Sequence, residues 1–230
     1  MNNGLTLQQE QVQAVFISKV YGWMSAALVV TGIVAMWAAS TPAVSQAIFP
    51  GDTMIPFYIL IAAEFGAVIY LSARINKMSA ETAGIVFILY SVLNGLTLSM
   101  VFLMYTSSSI ASTFLVTAMT FGVMSAYGYM TKRDLTSIGN LAFMALIGVV
   151  IASVVNIFLQ SEMMYWIITY AGVLIFVALT AYDTQKIKRM ASFDDDAEVS
   201  KKKSILGALT LYLDFVNLFL FLLRFMGNRK

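Results

Sequence analysis

The sequence contains no cysteine and no histidine, and only 11% of its 230 residues are charged. The first two absences exclude disulfides, thiolate nucleophiles, zinc sites built on these ligands and imidazole-based catalysis. The scarcity of charge excludes an ordinary soluble domain, whose composition includes about a quarter charged residues. With 14 Lys and Arg against 12 Asp and Glu, there is no basic excess with which to hold a nucleic acid. Oxygen ligands remain, and carboxylates, carbonyls and hydroxyls suit hard cations such as calcium.

What the chain does have is apolar surface, at 60% hydrophobic residues. Runs of roughly 20 apolar residues, long enough to cross about 30 Å of hydrocarbon, recur seven times. They lie near residues 20–39, 55–73, 83–105, 110–130, 138–159, 163–182 and 205–226. The first is longer than a signal-peptide core and follows polar rather than basic residues, so it reads as a retained span. The expected fold is an all-α integral membrane protein. Residues 1–19 form a cytoplasmic amino-terminal segment, 20–226 a single seven-helix membrane domain and 227–230 a tail. Short connections make sequential spans antiparallel.

Basic loops stay on the cytoplasmic side of a membrane. Lys19 precedes the first span. Arg74 and Lys77 follow the second, Lys132 and Arg133 the fourth, and Lys186, Lys188, Arg189 and Lys201 to Lys203 the sixth. The loops after the first, third and fifth spans contain no Lys or Arg. The pattern predicts a cytoplasmic amino terminus, and seven full passes then carry Arg229 and Lys230 to the far side. Small-residue spacings such as Gly122 to Ala126 and Gly148 to Ala152 predict close helix packing. The stretch FDDDAEVSKKK, residues 193–203, reads as a solvated turn, since it lacks the spaced ligands and central glycine of a calcium loop.

Four ionisable groups lie within or at the ends of spans: Glu64 in the second, Asp183 at the end of the sixth, and Asp214 and Arg224 in the seventh. Insertion scales put a charge at the centre of a membrane helix at about 2.5 to 3.5 kcal/mol, which makes each a functional candidate in need of a partner. Asp183 stands near the cytoplasmic boundary, within reach of water. Asp214 stands nine residues beyond Ile205, on the order of 14 Å into its span, too deep for so short a side chain to reach water. Asn217, three residues on, extends a polar stripe on an otherwise apolar helix. Glu64 and Arg224 could meet as an ion pair, or Arg224 could snorkel to the interface.

The strings AYDTQKIK in the sixth span and LYLDFVNLFLFLLRFMG in the seventh resemble the Bax inhibitor-1 (transmembrane Bax-inhibitor-motif) family, in particular its bacterial inner-membrane members. The likeness extends to YGWMSAALV in the first span and MTKRDL after the fourth. It implies two three-helix layers around a central carboxy-terminal helix, and a pH-sensitive calcium leak. It also implies a hydrogen-bonded aspartate pair at Asp183 and Asp214, and an ion path lined by Glu64 and Arg224. A latching arginine is implied at the end of the second span, one residue from Arg74.

Two carboxylates within hydrogen-bonding distance cannot both ionise cheaply, so such a pair shares a proton and its loss alters how the helices pack. The expected function is therefore a pH-sensitive calcium leak channel. Asp183 and Asp214 would be its sensor, Glu64, Arg224 and Asn217 would line the ion path, and Arg74 is a possible latch. Asp183, Asp214 and Glu64 are the candidate calcium ligands. The expected partners are the lipid bilayer, protons and calcium as the transported ion, with no cofactor. A proton-coupled calcium exchanger and a non-transporting regulator of a membrane protease or another membrane complex are the alternatives. Enzyme readings fit worse. Asp214 lacks the glycine-flanked motif of intramembrane aspartyl proteolysis, and no span contains a lysine for a retinal Schiff base.

Overall fold

The computed structural model describes the backbone of residues 2–192 and 195–230, and side chains from residue 7 onward. Every regular element among them is helical. They run α1 (Asn2–Ser40), α2 (Pro42–Ile48), α3 (Ile55–Arg74), α4 (Ala80–Met104), α5 (Ser107–Met130), α6 (Thr136–Leu159), α7 (Glu162–Arg189) and α8 (Ala197–Met226). Seven of them, all but the short α2, are long and apolar enough to cross a membrane. The protein is an all-α, seven-span membrane protein. Polar side chains cap the starts of α4 and α5. The hydroxyls of Ser79 and Thr106 accept the N–H groups of Thr82 and Ser109, satisfying donors that a helix start otherwise leaves free.

The helices outrun the apolar runs that reveal them. α7 continues seven residues past the expected end at residue 182, and α8 begins eight residues before the expected start at 205. Much of the stretch read as a solvated turn is therefore helix. Residues 197–203 form the first turns of α8, Asp196 accepts the Val199 N–H, and Lys203 ion-pairs with Asp195 at 2.7 Å. Phe193 and Asp194 lie outside the described residues. The apolar count stops at the edge of the hydrocarbon, whereas a helix needs only its backbone bonds and caps, which polar residues provide in water.

The chain forms two compact units, with α8 divided between them. The first holds α1 to α4 and residues 190–212. In it α1 and α3 both pack on α4. The approach of α1 is set by Gly95, where a Cβ would meet the Thr31 carbonyl oxygen at 2.8 Å, and by Gly84, against which the Trp23 ring lies.

The second unit holds α5 to α7 and residues 213–229, with α7 packed on both α5 and α6. Here Gly128 of α5 lies against the backbone of Ala181, Gly139 of α6 against the Tyr182 ring, and Gly172 of α7 against the Phe221 ring. The expected close-packing glycines are corrected by this pattern. A Cβ on Gly122 or Gly148 would meet nothing within 4 Å. Small-xxx-small spacing finds positions able to admit a neighbour, but which face meets one is decided by tertiary packing.

A buried carboxyl pair as candidate functional site

The site in the second unit is built outward from the carboxy-terminal half of α7. Ala181 and Tyr182 are seated against glycines of α5 and α6, so no side chain at those positions holds the helices apart. The next residue is Asp183. Thr184 donates to Ser125 of α5 at 3.4 Å. Gln185 then ties the helix to the α5–α6 loop. Its Nε2 donates to the Arg133 carbonyl at 2.8 Å, and its Oε1 accepts the Leu135 N–H at 2.9 Å and Arg189 at 2.9 Å. Lys188 donates to the Tyr129 carbonyl at 3.0 Å, with its ammonium 4.4 Å from the centre of that ring.

Arg189 also pairs with Asp134 at 3.3 Å. The hydroxyl and N–H of Thr136, with a smaller contribution from Arg189, hold the exposed Asp134 carboxyl below the usual carboxylate range.

α8 brings the second acid. Phe215 packs edge-on to Phe114 and Phe121 of α5, with ring centres 5.4 Å apart in each case, and Phe221 stacks on Phe176 of α7. Asp214, adjoining Phe215, is 5% exposed and Asp183 is 8% exposed, and their carboxyls lie within hydrogen-bonding reach of each other. Among the described residues, no N–H or hydroxyl donates to Asp214 Oδ2. The cation acting on Asp183 is Lys186, one turn further along α7.

A hydrogen bond between two carboxyl groups requires a proton, because ionised carboxylates are acceptors only. Asp214 is the eighteenth residue of α8 and Asp183 the twenty-second of α7, so both acids stand well inside their helices.

The other candidate residues have different surroundings. Asn217 spends its amide N–H on the carbonyl of Leu213, one turn back, at 2.8 Å. The Arg224 guanidinium lies 5.7 Å from the Tyr165 ring centre and 5.5 Å from that of Phe221, within cation–π range. Glu64 belongs to the first unit, where Asn94 and Thr97 donate to it. Arg74 ends α3 in the same unit with an exposed side chain. Among the described residues no three acidic side chains gather into a metal site. Two carboxyls alone supply fewer oxygens than the six to eight that calcium takes when held. Sequence reasoning missed the Gln185 tie. The signal was available in AYDTQKIK, where an amide stands between a span acid and a basic end.

The whole of this arrangement lies inside a recognisable sequence family. Residues 13–230 match the family described as inhibitor of apoptosis-promoting Bax1. The inner membrane protein YbhL of Escherichia coli K12 is 56% identical over 218 residues, covering 94% of this chain and 92% of that protein. An uncharacterized protein of Borreliella burgdorferi is 42% identical over 224 residues, covering 97% and 96%. Matches of this extent leave no span unaccounted for, and the chain belongs to the Bax inhibitor-1 family of membrane proteins.

Proposed function

We propose that this protein is a passive, proton-gated cation leak of the bacterial inner membrane, with calcium as its principal ion and its amino terminus in the cytoplasm. The observation that carries the reading is the pair of buried acids on α7 and α8, within hydrogen-bonding reach of each other. The membrane is supported by the seven apolar helices and by the printed name of the Escherichia coli relative. The orientation is supported by the basic residues at the ends of α3, α5 and α7.

With one proton between them the two carboxyls hold α7 and α8 together. With none, two like charges about 4 Å apart repel by about 4 kcal/mol at an effective dielectric constant of 20. That is comparable to the roughly 5.5 kcal/mol that inverts a 1:99 population, so proton loss is sufficient to shift which packing of α7 and α8 is occupied. Glu64 and Arg224 are the proposed ion-path residues, with Asn217 on the same helix as Asp214.

The test is calcium flux into liposomes measured across pH. Wild type should give a pH-dependent leak, and Asp214→Asn, which keeps shape and hydrogen bonding but cannot ionise, should flatten it. A variant with unchanged pH dependence removes the pair from the mechanism. Calcium moved uphill by an imposed pH gradient would replace the leak by proton-coupled exchange. Absence of flux together with a stoichiometric crosslinked membrane partner would replace it by a regulatory role.

A further inference from the structure

Glu64 raises a separate question, because every partner it has within the first unit is neutral. The Thr97 hydroxyl donates to Oε1, and the Asn94 amide lies 3.0 Å from Oε2. The other end of that amide is 2.8 Å from the Tyr212 hydroxyl, which is 2.6 Å from Thr31 Oγ1, which is in turn 2.9 Å from the Ser91 carbonyl oxygen. Asn94, Tyr212, Thr31 and Ser91 are all buried. A single line of five contacts thus runs from Thr97 through Glu64, Asn94, Tyr212 and Thr31 to Ser91.

Each contact requires one hydrogen. Thr97, Tyr212 and Thr31 supply one each, the Asn94 amide can point its N–H group at only one of its two neighbours, and the Ser91 carbonyl supplies none. With Glu64 as a carboxylate, four hydrogens serve five contacts, and one pair of buried polar atoms faces the other with nothing between them. The Thr97 hydroxyl also lies 3.3 Å from the Leu93 carbonyl, which competes for its hydrogen and can only deepen the deficit.

A proton on Glu64 supplies the fifth. The Asn94 amide, whose N–H group faces Glu64 and whose oxygen faces Tyr212, then turns over to present its oxygen to Glu64 and its N–H group to Tyr212. Tyr212 donates to Thr31 and Thr31 to Ser91, so every donor points the same way along the line. Unpaired buried polar atoms cost about 1 to 3 kcal/mol, which favours the complete chain.

We propose that Glu64 is a second proton-binding site of this protein, whose proton, once the Asn94 amide is turned over, sets the direction of a hydrogen-bond chain through Asn94 and Tyr212 to Thr31. Loss of that proton turns the Asn94 amide over and reverses the Tyr212 hydroxyl. The site therefore reads out on α1 and α8 what happens at α3. The titratable groups that feel Glu64 are the phenols of Tyr90 on α4 and Tyr212 on α8. The ion pairs among the described residues, Arg189–Asp134, Lys202–Glu198 and Lys203–Asp195, do not include it. A neutral Glu64 is no ligand for a cation, so on an ion path it would admit one only after releasing its proton. The assignment itself depends neither on ion flux nor on the aspartate pair.

Infrared spectroscopy of the protein in liposomes at neutral pH tests it. The wild type minus Glu64→Gln difference should contain the C=O stretch of a protonated carboxylic acid, and Tyr212→Phe should shift that band. Glutamine supplies a hydrogen where the protonated acid does, so Glu64→Gln should unfold at the wild-type temperature while Glu64→Leu unfolds lower. The proposal is overturned if the difference shows only a carboxylate, if the band ignores Tyr212→Phe, or if glutamine destabilises as much as leucine.

Discussion

The two units each bury an acid in an apolar helix, and they satisfy it in opposite ways. In the first, Glu64 is surrounded by neutral donors that extend into a chain of hydroxyl and amide groups. In the second, Asp214 is matched with another acid, and no N–H or hydroxyl among the described residues donates to its Oδ2. In the first, the proton proposed on Glu64 completes a chain of neutral hydrogen-bonding groups. On the proposed function the second depends on a proton between two carboxyls, which makes it the more sensitive of the two to pH. Burial alone does not make an acid a sensor. The chemistry of its partner does.

The most severe way to break the comparison is to unseat α7. A leucine at Gly128 must displace the Ala181 backbone beside Asp183, and should cost about 3 kcal/mol in thermal unfolding in detergent. Leucine at Gly122, six residues earlier on α5 and open to 4 Å, should change stability by no more than about 0.5 kcal/mol. Equal effects at the two positions would mean that the glycine seats do not locate the site.

Cutting the first unit's chain comes next. Asn94→Leu strands both Glu64 and Tyr212, and should cost about 1 to 3 kcal/mol by the same measurement while leaving the pH response of the second unit's pair intact. Loss of that response would show the two units titrating as one system.

Gln185→Leu removes two hydrogen bonds between α7 and the α5–α6 loop, and a third to Arg189 within α7, without touching either acid. Interhelical hydrogen bonds in membrane proteins average about 0.6 kcal/mol, so the expected cost is about 1 to 2 kcal/mol. Hydrogen exchange should show faster opening at Leu135 and unchanged protection in α1 and α4.

The smallest effect belongs to Asp134. A carboxyl held below its usual range in the folded state contributes stability that is present above its unfolded pKa. That contribution is lost as pH falls through the lower, folded value. Asp134→Asn should therefore be nearly silent at neutral pH, and should remove part of the acid limb of a stability profile below about pH 4.

Much of this molecule could be read from its residues in order. Apolar length gave the seven spans, because about 30 Å of hydrocarbon imposes the same requirement on any helix that crosses it. The scarcity of charge singled out Glu64, Asp183, Asp214 and Arg224, because each is conspicuous against a background that excludes its kind. The helix ends at Arg189 and Ala197 were not legible in the same way, since polar turns continue a helix beyond the hydrocarbon without any change in hydropathy to mark them. Nor were the seats at Gly128 and Gly139 separable from the empty positions at Gly122 and Gly148, although all four are small residues in apolar helices.

The sequence by itself determined which groups are too polar for their surroundings, because that is a property of each side chain against the solvent it must enter. Only the tertiary structure decided what each group does about it. Glu64 meets Asn94 and Thr97, whereas Asp214 meets Asp183, and those encounters join residues 30 positions apart and more in the chain, on successive helices. The distances between such partners are fixed by where glycines let backbones touch and by where α8 begins. Both follow from how whole helices pack together and not from any local run of residues.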